Sequence, residues 1–141
     1  MVKYQRIDVY GCTVVFMGEP TKVEFELMYH DNVERITDDE YKRMYHDIFE
    51  NKKCGGFTVP LDYGDYVCCI KDVMAYDYVA HEIYNTATRI LLSRGVELQN
   101  DNDEPFAYLV GYLTSMFYQS IIEEKLIKVE RLKERNKECA L

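Results

Sequence analysis

The chain has 141 residues, 48% of them hydrophobic, and a formal net charge of −8 at neutral pH. That length and composition suit one folded domain with one core and exclude a disordered chain, while the acidic balance disfavours nucleic acid, whose phosphates are bound by clustered Lys and Arg. No apolar run reaches the roughly 18 residues that cross a bilayer, and residues 1–8 lack the apolar centre of a secretory signal, so the expected setting is cytoplasmic with no membrane.

Residues 7–17, rich in Val, Ile and Tyr and broken at Gly11, read as a strand. Gly18-Glu19-Pro20-Thr21 reads as a turn. Residues 22–30 alternate, with Val23, Phe25, Leu27 and Tyr29 against Glu24, Glu26, Met28 and His30. Period two predicts a half-buried strand that closes an antiparallel hairpin with the first. Thr37-Asp38-Asp39-Glu40 is a capping box, in which the Thr hydroxyl and the Glu carboxylate serve free N–H groups at a helix start. The helix it opens runs to about Asn51, with Tyr41, Met44, Tyr45, Ile48 and Phe49 on one face.

Gly55-Gly56 ends that region, and residues 57–61 and 66–71 predict two short strands around a turn at 62–65. The second carries Cys68 and Cys69, which a strand points to opposite faces. With Cys12, Cys54 and Cys139 they make an odd set with no CxxC spacing, which reads as reduced thiols rather than as disulfides or a cysteine zinc site. A second helix is predicted over 74–94, stopped at Gly95. A third opens at Asn102 or Asp103, takes Pro105 in its first turn and continues to about 136. The 13 tyrosines fit either half-wet surfaces and interfaces or a core that uses tyrosine.

The second predicted helix carries Ala80-His81-Glu82-Ile83-Tyr84-Asn85. Positions i and i+4 of a helix lie on one face. Two histidines at that spacing can hold a zinc ion, and a glutamate after the first can take a proton from zinc-bound water. Here the fifth position is Asn85. Together with Ala87, Ile90-Leu91, Gly95 and Asn102 to Tyr112, this segment resembles the small HExxH zinc-metallopeptidase-like proteins encoded by phages and prophages, over roughly residues 65–120.

The resemblance implies a minimal zincin-like helix pair with His81 and Glu104 as metal ligands, Asn85 at the degenerate ligand position and Glu82 as catalytic base. An amide oxygen is a weak donor where imidazole is expected, so the expected cofactor is zinc or none. Glu82 also fits a solvated helix edge. Asp101, Asp103 and Glu104 also fit a plain helix N-terminus, where carboxylates oppose the positive dipole end. His81, Asn85 and Thr88 form a polar stripe, which suits a cleft shared with Glu104 and Tyr108 or a face turned to solvent.

The expected fold class is α+β: a small three- to four-stranded sheet with three helices, the last one long. Residues 1–122 form the domain and 123–141 a charged helical extension. In that extension Ile122, Leu126, Val129 and Leu132 recur at spacings of 4, 3 and 3, which suits a protein partner or self-association through residues 122–136, or packing back on the domain. The expected function is that of a catalytically impaired peptidase-like phage protein acting through protein contact in the host cytoplasm. The alternatives are a homo-oligomeric structural or accessory virion protein and an active metal-dependent peptidase.

Overall fold

The structure, a computed structural model, describes residues 1–99, 101 and 103–140. Strands β1 (Val2–Ile7) and β2 (Cys12–Gly18) pair antiparallel, with Val2 opposite Met17 and Ile7 opposite Cys12. A short 3-10 turn at Asp8–Tyr10 links them and ends on Gly11 at φ +62°, a left-handed conformation that costs glycine nothing. The single strand expected over 7–17 is therefore two structures. The break at Gly11 is a chain reversal, and the partner strand lies upstream.

The strand expected over 22–30 is a helix, α1 (Lys22–Asp31). Its alternation comes from composition, not from burial: Phe25 and Met28 are buried, whereas Val23 and Leu27 face solvent. A capping box decides the matter. Glu24 N–H donates to Thr21 Oγ1 at 3.1 Å, and Thr21 N–H donates to the Glu24 carboxylate at 3.0 Å. The same box, at Thr37 and Glu40, opens α2 (Asp38–Phe49) as expected.

Strands β3 (Gly56–Pro60) and β4 (Tyr66–Ile70) form a second antiparallel hairpin. The sheet order is β1-β2-β4-β3, with β2 and β4 parallel at the centre. Both faces of these central strands are covered, so they read as continuous apolar runs. Val15, Met17, Val67 and Cys69 pack against α1 and α2 through Phe25, Met28, Met44 and Ile48. Phe16, Cys68 and Ile70 pack against α3 (Tyr76–Ser93) and α4 (Glu104–Cys139) through Ile83, Ile90, Leu113 and Phe117. The protein is thus α+β, a four-stranded mixed sheet between two helix layers. It has four helices among the described residues where three were expected, and α1 is the addition.

Asp103 stands at the N-cap of α4 and Pro105 in its first turn, while the alternative cap, Asn102, lies outside the described residues. The inner face of α4 ends at Ile121. Gly18 admits that residue, since a Cβ there would come within 2.8 Å of Ile121 Cδ1. Beside it the Met1 amine donates to Gly18 O at 2.8 Å and pairs with Glu24 at 2.9 Å and Glu124 at 3.6 Å, tying β2, α1 and α4 together. Beyond this knot α4 continues without a break across residue 123, and every residue from Lys125 to Ala140 is exposed. The stretch 122–139 spans about 27 Å at the α-helical rise. No helix of the described residues is long and apolar enough to cross a membrane.

Candidate functional site

Helix α3 lies over β3 and β4, and its buried face runs through Val79, Glu82, Ile83, Thr86, Ala87, Ile90 and Leu91. Glu82 therefore points into the protein. Its side chain is 7% exposed and that of the adjacent His81 is 67% exposed. The solvated edge open to Glu82 in the sequence is not where it lies.

A buried carboxylate needs donors. Thr58 on β3 supplies one, its hydroxyl 2.9 Å from Glu82 Oε2. Thr86, one turn along α3, bonds its hydroxyl to the Glu82 carbonyl at 2.8 Å and lies 3.1 Å from Thr58 Oγ1. Gly56 makes room, because a Cβ there would stand 2.4 Å from the Cys69 carbonyl and 3.0 Å from Glu82 Cγ. The Cys68 thiol borders the same cluster. Burial pushes it up to about 12, and the Glu82 charge adds to that while Thr86 and Thr58 oppose it. It is no nucleophile at neutral pH. As folded, Glu82 is the polar anchor of α3 on β3.

His81 Nε2 is 3.8 Å from Glu82 Oε1, so these two residues do meet. Asn85 is half-buried one turn further along α3. Glu104 is elsewhere. The rings of Tyr76 and Tyr118 lie 6.4 Å apart, which sets the start of α3 beside the middle of an antiparallel α4. Among the described residues, no three His, Cys, Asp or Glu side chains gather closely enough to hold a metal ion.

Neither His81 nor Asn85 lines the depression that Glu104 and Tyr108 share. That shallow depression also takes in Tyr10, Asp101 and Pro105, at the hairpin end of the sheet. A cleft of about 410 Å³ adjoins it, walled by the β1–β2 turn on one side and by Tyr108, Leu109 and Tyr112 on the other.

Sequence reasoning missed Thr58, Thr86 and Gly56. Thr86 was reachable, because it follows Glu82 at i+4 and so shares its face. Thr58 and Gly56 come from another strand, and only the fold brings them to α3. Comparison with family models, with curated proteins and with solved structures finds no match to this chain.

Proposed function

We propose that the chain acts through protein contact and not through catalysis, as a silent form of the phage peptidase-like scaffold that its sequence resembles. The observation that carries this reading is the placement of Glu104 beside Tyr10, Asp101 and Tyr108, whereas His81 stands against Glu82 on α3. A zinc site needs three or four donors around one point, and Asn85 is a poor substitute for the missing imidazole. The exposed far half of α4 supports the contact role, since a helix holds its form in water chiefly by packing an apolar face. A homo-oligomeric accessory or virion component is the form of this role that α4 favours.

The active-peptidase reading keeps one observation in its favour: the imidazole of His81 stands beside the Glu82 carboxylate on a helix next to β3, an edge strand. Metal content separates the two. Protein purified without chelator and measured by elemental analysis is expected to carry no stoichiometric metal. About one zinc per chain, lost in His81→Ala, would overturn the proposal.

A further inference from the structure

The outer face of α4 forms one uninterrupted seam. Tyr108, Tyr112, Ser115, Ile122, Leu126 and Val129 recur at alternating three- and four-residue steps, with Gln119 completing the series, and all of them are exposed. This is the seven-residue pattern of a helix that packs along another helix. It lies opposite the face that Leu113 and Phe117 bury in the body, so folding of one chain leaves it uncovered.

The geometry points to a second copy of this chain as the occupant, with the two α4 helices packed antiparallel. Three features favour that arrangement. The first is charge. Residues 125–139 hold six Lys or Arg against three Glu, in a chain of net charge −8. The start of α4 is acidic at Asp101, Asp103 and Glu104. A straight helix cannot fold its basic end back on its own acidic end, but an antiparallel partner brings the two together. Glu104 then stands near the partner's Lys137.

The second is size. With Tyr112 set against the partner's Val129, Ser115 meets the partner's Leu126, and Gly111 meets the partner's Leu132. Gly111 has open space above it, so a large apolar side chain fits over it. At Ser115 and Gly111 a small residue thus faces a large one. The third is room. Antiparallel pairing puts the two bodies at opposite ends of the helix pair, and the cleft beside Tyr108 and Tyr112 receives the partner's tail. Val9, 87% exposed on the β1–β2 turn, gains a neighbour there. A parallel pair would set the acidic ends side by side.

This inference names the partner in the contact role proposed above, and it rests on that reading only for its biological meaning. Cys139, exposed near the end of α4, makes it testable. In a Cys54→Ser background, a short bismaleimide is added to dilute protein. Antiparallel pairing holds the two Cys139 thiols at opposite ends of the pair, roughly a full helix length apart. The background protein is therefore expected to stay uncross-linked, while Glu104→Cys joins the partner's Cys139 in most chains.

Adding Leu126→Glu should cut that yield about tenfold or more, because it buries an unpaired charge in the seam. Its site is exposed in the single chain, so circular dichroism should be unchanged. Cross-linking of the background protein through Cys139, or none in the Glu104→Cys protein, would overturn the arrangement. Neither result alters the metal measurement, and bound zinc would overturn the contact reading without changing the cross-link.

Discussion

The carboxylate of Glu82 sits where the body of the protein closes on α3, and its partners set what single substitutions should do. Thr58→Val keeps the shape but removes the donor to Glu82 Oε2, so it should cost about 1–3 kcal/mol in urea unfolding. Gly56→Ala should cost a similar amount, because its Cβ meets the Cys69 carbonyl rather than a side chain that can move. The thiols divide by exposure. Native alkylation should label Cys54 and Cys139, while Cys12, Cys68 and Cys69 stay silent until the chain unfolds; mass spectrometry of labelled protein checks this.

Tyrosine serves both roles that composition left open. Tyr29 and Tyr41 pack ring to ring at 4.4 Å over Phe25, whereas Tyr63 and Tyr108 lie in solvent. The Tyr41 hydroxyl donates to the Glu26 carboxylate, and this bond, helped by burial, raises Tyr41 to about 12. A raised value stabilises the fold fully below the unfolded tyrosine pKa near 10. That contribution fades as pH rises through about 12. An absorbance titration should find late-ionising tyrosines, as Tyr4 and Tyr118 are raised as well, and Glu26→Gln should lower Tyr41 alone among them.

At the scale of elements, the paired capping boxes carry α1 and α2. Thr21→Ala and Thr37→Ala should each cost about 1 kcal/mol. Glu24 adds a pH term. Partial burial pushes its carboxyl up, but the Thr21 N–H and the N-terminal amine outweigh this and leave it lowered. A lowered value stabilises above the unfolded glutamate pKa and is lost as pH falls through the folded one. Acid unfolding should therefore begin earlier in Glu24→Gln, because that protein lacks the contribution at any pH.

The same box shows what was legible in the sequence. Thr37 and Glu40 announced α2, β3 and β4 followed from their apolar runs, and α4 from its length and proline. Thr21 and Glu24 carry the identical signal, yet alternation over 22–30 masked it, because Val23 and Leu27 are apolar residues that the fold leaves outside. β1 was hidden for the opposite reason. Lys3, Gln5 and Arg6 dilute an edge strand, which needs only one well-packed side. At the site, His81 beside Glu82 was readable from adjacency. The Thr58 hydroxyl and the placement of Glu104 depend on how α3 lies on the sheet and beside α4, and no local spacing encodes that.

At the scale of the molecule, the protein has a closed body and an open helix. Both sheet faces are covered and α3 is fastened to β3, but α4 carries an apolar seam past the last packed residue. Its two halves differ in charge, acidic at Asp101, Asp103 and Glu104 and basic over residues 125–139, and the proposed pairing sets each against the other. The proposed function thus lies on the outer face of α4 rather than at the His81–Glu82 motif. Light scattering of the full chain, with and without chelator, tests this most directly. The predicted result is twice the 16.7 kDa chain mass, unchanged by chelator and by His81→Ala. A single-chain mass, or a larger one that collapses when metal is removed, would contradict it.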